Sequence, residues 1–205
     1  MKHTIPISET QLMTRRSLLT TAAVLSLSAC CVGAQELAAD ADQDRSAADM
    51  PHAELLTDGN VITYLLVFRT GQEVMKGLAA FARKRELVSG HVTGIGALSD
   101  AVIGYFDPEK KTYLKLREEG QRELLSLTGN LALYDNAPFY HVHVALGSSD
   151  GHTRGGHLFA ATARPTVELY LTAYARPVRR QIDPQWVIPL LSPSATAAAP
   201  DRDIH

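Results

Sequence analysis

The sequence predicts an α+β domain built on a largely antiparallel sheet with one main helix. Three observations predict it: a single early stretch with helical periodicity, seven strand-like runs after it, and turn residues separating several of those runs. The chain has 205 residues, 45% of them hydrophobic. That is enough for one sizeable core, with tails at both ends.

The first strand is Val61–Thr70, "VITYLLVFRT", β-branched and aromatic and long enough to be buried. Gly71-Gln72 ends it. In "EVMKGLAAFARKREL" Val74, Leu78, Phe81, Ala82 and Leu87 fall largely on one helical face. Glu73 near the start and Arg83, Lys84 and Arg85 near the end suit the helix dipole. The later runs are "GHVTGIGAL", "DAVIGYFD", "TYLKLREE", "ELLSLTGNLALYD", "YHVHVALG", "GGHLFAATA" and "TVELYLTAYA". Asp107-Pro108, Glu119-Gly120 and Asp150-Gly151 read as turns between them.

Four of the eight histidines lie between His141 and Leu158. Side chains two apart on a strand share a face, so His141 and His143 project together. A turn centred on Asp150 places residues whose numbers sum to 300 opposite each other, which pairs His143 with His157. Three imidazoles then converge, the count of a metal site with an open fourth position. Zinc suits such ligands, as do copper and nickel; solvent or a small anion is expected in the remaining position. Neutral imidazole is the ligand, so affinity should fall below about pH 6, near the unperturbed histidine pKa. His152, at the turn tip, is expected to face solvent. His91 has no assignable place. The Gly94-Ile95-Gly96 stretch lacks the third glycine and following helix of a dinucleotide fingerprint. Ser126, Thr128 and Tyr140 supply hydroxyls without the spacing of a nucleophilic triad.

The ends carry addresses and tethers. Thr14-Arg15-Arg16-Ser17-Leu18-Leu19 resembles the twin-arginine export signal, and the apolar run Leu18–Ala29 is too short to span a bilayer. Leu27-Ser28-Ala29-Cys30 resembles the lipobox of bacterial lipoproteins, in which the cysteine (here Cys30) is acylated. Cleavage after Val32-Gly33-Ala34 is the competing reading. Residues 1–34 are therefore an expected export signal, 35–53 an acidic flexible tether, 54–191 the folded domain and 192–205 a disordered tail. The expected location is the periplasm or cell envelope. Cys30 and Cys31 are the sole cysteines, so the body has neither disulfide nor thiolate. The net charge is −2; without residues 1–30 the chain keeps 17 basic against 21 acidic residues. That balance speaks against a nucleic-acid partner.

The body, roughly Thr63–Tyr174, resembles the plant-and-prokaryote-conserved (PPC) domain family. The resemblance rests on "GIGALSDA" (Gly94–Ala101), "ELLSLTGN" (Glu123–Asn130), "HVHV" (His141–Val144), and Asp150-Gly151 through "GGHL" (Gly155–Leu158). It implies a compact α+β fold around a strongly bent antiparallel sheet, commonly a homotrimer, with a divalent ion, zinc foremost, at the equivalent histidines. In plants the domain accompanies an AT-hook with an Arg-Gly-Arg-Pro core. This chain has none, and Ala163-Arg164-Pro165 is its nearest approach. The position matching Glu123 is acidic in the family; Glu123 reads as a histidine partner, a general base or an interface residue. The leading expectation is an exported, metal-binding, trimeric binding or assembly module. A metal-dependent hydrolase or lyase using Glu123 is the alternative, and DNA binding by family label is a second one.

Overall fold

A computed structural model of the chain describes residues 48–58 and 61–194. The expected export signal with Cys30, the tether up to residue 47 and the tail beyond residue 194 lie outside the described residues.

The elements run β1 (His52–Asp58), β2 (Ile62–Arg69), α1 (Val74–Lys84), β3 (Gly90–Asp107), β4 (Thr112–Tyr134), β5 (Ala137–Gly147), β6 (Thr153–Ala173), β7 (Arg180–Ile182) and β8 (Pro189–Leu191). The first six strands form one antiparallel sheet in the order β1-β2-β6-β3-β4-β5. β5 also pairs with β6, so β3, β4, β5 and β6 close on themselves like a small barrel. The short β7–β8 hairpin is a separate ribbon.

The closure depends on long, bulged strands. The seven runs read from the sequence become four strands, β3 to β6. Glu119-Gly120 is not a turn: Gly120 lies inside β4 with φ +78, and the β3–β4 register slips between Leu98 and Asp100. A bulge adds a residue to one strand and bends the ladder without reversing it. Asp107-Pro108 and Asp150-Gly151 do mark reversals, between β3 and β4 and between β5 and β6.

Alternation then sorts the side chains. Tyr140, Val142, Val144 and Leu146 of β5 are buried, and they join Leu66, Phe68, Leu98, Leu127, Leu158 and Leu169 in the core. The intervening residues of β5, including His141 and His143, face outward. Helix α1 packs against β5 and β6 and buries Val74, Leu78, Phe81 and Ala82. Its N-terminus is capped by the Glu73 carboxylate, which accepts from the Lys76 amide and also from the Ala161 amide at 2.9 Å. Arg83 and Lys84 occupy the last turn, as the dipole favours.

The folded region begins earlier than the sequence suggested. Residues 48–53 belong to the domain and not to the tether. The Asp49 carboxylate accepts from the Glu73 amide at 2.7 Å, and the Gln72 amide donates to the carbonyls of Ala48 and Met50. Gly77 admits this contact, since a Cβ there would lie 2.3 Å from the Asp49 carbonyl oxygen. Ala/Asp composition conceals an ordered segment whose partners lie more than twenty residues away.

Candidate metal centre

β5 and β6 build the site. His141 and His143 stand two residues apart on the outward face of β5, and His143 is the Cα partner of His157 on β6. His157 is also paired with Gly104 of β3, so it sits where β6 runs between two neighbours. The reversal is a tight turn: the Gly151 amide donates to the Ser148 carbonyl, and the Ser148 amide to the His152 carbonyl, each at 2.9 Å. The register is the one the sequence predicts.

The three rings are mutually adjacent, with centroids 5.0 Å apart for His141–His143 and His141–His157 and 5.6 Å for His143–His157. The Nε2 atoms of His141 and His143 are 3.0 Å apart, and one nitrogen from each ring lies within 4.8 Å of the others. Ligands held tetrahedrally at a zinc–nitrogen bond length are about 3.3 Å apart, a separation comparable to these. The buried Nδ1 of His157 has no hydrogen-bond partner. A buried, unsatisfied nitrogen is costly, about 1–3 kcal/mol, and a bound cation nearby is one remedy. The donor set therefore fits a borderline-soft divalent ion.

The electrostatics favour the ligating form. Partial burial, the Arg180 guanidinium and the neighbouring His143 hold the His141 pKa down at about 4. His157 is likewise lowered to about 4 by burial, then by His141, His143 and Arg180. Both rings stay neutral well below the pH 6 expected of free histidine, so proton competition at these two positions sets in lower. Around them, Tyr113 and Phe159 pack on His157 at 4.9 and 4.7 Å between centroids. Gly104 makes room for both rings, because a Cβ there would lie 2.5 Å from the Phe159 ring.

The other sequence candidates sit elsewhere. The His152 side chain is exposed and paired with its neighbour Asp150 at 3.0 Å, as expected for a turn tip. His91 lies in the row of His141, separated by Asn130 of β4, and its Nδ1 meets the Tyr174 hydroxyl at 2.8 Å. Glu123 is opposite Gly147, five residues along β4 from Thr128, the partner of His143. That spacing amounts to roughly 15 Å along the strand. Glu123 instead lines a shallow groove with Ile95, Gly96, Thr166 and Glu168. It is too far from the imidazoles of this chain to serve as their hydrogen-bond partner or as a base for water between them.

One residue escaped the sequence reading. Arg180 of β7 is 5% exposed and reaches the site from the C-terminal hairpin. Its Nη2 donates to the Asn130 side-chain oxygen, and Asn130 faces His141 across the β4–β5 ladder. No motif surrounds Arg180, and its position depends on a hairpin that returns over the sheet, where Leu133 bridges to Arg179 and its amide donates to the Val178 carbonyl at 2.8 Å.

A bent, self-closed antiparallel sheet carrying three imidazoles on its outer face defines a small α+β domain with a candidate cation site. The chain belongs to the Plants and Prokaryotes Conserved (PCC, or PPC) domain family, whose model matches residues 57–175. Among solved structures it is similar to the metal-containing protein of Archaeoglobus fulgidus, at 33% identity and TM-score 0.60 over 70% of this chain and 98% of that one. It is similar to a plant- and prokaryote-conserved protein of Pyrococcus horikoshii, at 32% identity and TM-score 0.60, covering 69% and 94%. A candidate DNA-binding protein from Bacteroides thetaiotaomicron matches at 26% identity and TM-score 0.64, covering 68% and 96%. Among curated proteins, the bifunctional protein GlmU of Synechococcus sp. (strain JA-3-3Ab) is 33% identical over 119 residues, 58% of this chain. Those residues span only 17% of that protein.

Proposed function

We propose that this chain is an exported metal-binding module in which His141, His143 and His157 hold one divalent ion, zinc foremost, and which assembles as a homotrimer. The observation that carries the reading is the convergence of three imidazole nitrogens within 4.8 Å of one another. Support comes from the lowered pKa of His141 and His157 and from the likeness to a metal-containing protein of the same fold. When bound, such an ion supplies a Lewis-acidic position open to solvent or ligand. The chain's own residues orient the imidazoles through the β5–β6 register and keep two of them neutral. Binding and assembly are favoured over hydrolysis because Glu123 stands far from the imidazoles along β4.

Export and the lipid anchor rest on the sequence signals at Arg15-Arg16 and Leu27–Cys30. Intact mass of the membrane-associated protein tests the anchor: acylated Cys30 is the expected terminus, and an unmodified chain starting at Gln35 refutes it. The metal reading is tested by elemental analysis of the purified protein, with one ion per chain expected. DNA binding is opposed by the acidic balance and the missing AT-hook core. Retention on DNA that survives physiological salt would restore it.

A further inference from the structure

The β7–β8 hairpin lies beyond the region matched by the family model, which ends at residue 175. It nevertheless places a cation against the imidazole cluster. Arg180 is anchored at three points: Nη1 donates to the Pro189 carbonyl at 2.8 Å, Nη2 to the Asn130 side chain, and the guanidinium lies 5.4 Å from the Phe139 ring. Phe139 and His141 share the outward face of β5, and Asn130 is the cross-strand partner of His141. The Nε of Arg180 is buried and has no partner.

Among the described residues no carboxylate forms an ion pair or hydrogen bond with Arg180. Burial, Arg180 and the imidazoles themselves lower the pKa of His141 and His157. Glu118, the buried carboxylate of β4, is taken by Arg122 and Arg154 at 3.4 and 3.1 Å. The Tyr113 ring packs on His157, and its hydroxyl feels the Arg180 charge. A divalent ion on the three imidazoles would add two positive charges beside a fixed guanidinium. An anion offsets such a sum more strongly than water does.

We propose that Arg180 makes the open position of the three-histidine centre selective for a small oxyanion, carboxylate or phosphate, over neutral ligands. The inference rests on the metal reading above. Arg180 is a specificity-determining residue that acts by its charge, and the hairpin exists at this site to hold that charge in place.

The test uses the full chain loaded with cobalt(II), whose visible bands report a change of ligand, titrated with acetate, inorganic phosphate and neutral acetamide. Metal content is measured first; a wild-type chain that holds no ion refutes the metal reading itself, a failure separate from this one. With the ion in place, acetate and phosphate should shift the bands and acetamide should not. Arg180→Gln, which keeps an amide for Asn130, should retain one ion per chain and bind acetate at least tenfold more weakly. Arg180→Lys should stay within about threefold of wild type. Unchanged acetate affinity in Arg180→Gln overturns the proposal, and so does an equal loss in both variants, the mark of a purely structural role. Should the glutamine variant fail to fold, the wild-type comparison decides, since acetamide acting as strongly as acetate overturns it.

Discussion

His143 and His157 face each other across the β5–β6 ladder, one strand spacing apart, while His141 joins them from two residues along β5. The candidate metal centre is thus a property of strand register. A one-residue slip of β6 would turn His157 into the core. Gly155 and Gly156 hold the register by close approach: a Cβ at Gly155 would lie 2.5 Å from the Val144 carbonyl oxygen, and one at Gly156 equally close to that of Gly104.

Gly129→Ala should therefore damage fold and site together. Its Cβ would come within 2.4 Å of the His141 carbonyl oxygen and 2.9 Å of the Val142 Cα. Backbone cannot yield as a side-chain tip can, so a loss of about 2 kcal/mol or more is expected. Urea denaturation measures it, and metal affinity should fall in the same variant. Gly151→Ala serves as the contrast: no heavy atom lies within 4 Å of its Cβ, leaving only the strain of φ +81, about 1 kcal/mol.

Phe68→Ala should cost about 3–5 kcal/mol, because the ring is fully buried between β2, α1 and the core. A denaturation midpoint close to wild type would mean that the β2–α1 layer is not packed as described.

The metal-free protein should lose stability in acid in a definite window. His141 and His157 titrate near pH 4 in the folded chain and near 6.5 unfolded. The unfolded chain therefore binds more protons between these values. Stability from neutral burial is fully present above pH 6.5 and is lost progressively as pH falls through 4. His141→Gln should flatten the melting temperature between pH 6.5 and 4; an unchanged slope contradicts the assigned shift.

Much of this architecture was legible in the chain. The β5–β6 pairing followed from a period of two and one Asp-Gly turn, both local features, and α1 followed from its apolar face and its caps. What stayed hidden was long-range. Gly120 looks like a turn residue, and only the sheet shows that it bends β4 instead of ending it. Residues 48–53 look like tether because their partners are Gln72 and Glu73. Arg180 carries no signal of its own, since its place at the site depends on Asn130 and Pro189.

The assembly state has its own test. Tyr105 and Leu114 are exposed cross-strand partners on β3 and β4, and Leu116, Ile95, Leu125 and Tyr170 are also open. Apolar surface of this kind favours subunit packing. Light scattering on the folded protein at micromolar concentration should report three chains' mass; a monomer contradicts the homotrimer.

Metal content, measured by elemental analysis in wild type, His143→Ala and His152→Ala, tests the three-histidine centre. One divalent ion per chain is expected in wild type, with an empty site in His143→Ala and nearly unchanged content in His152→Ala. An ion that survives loss of His143, or leaves with His152, would contradict the three-histidine centre.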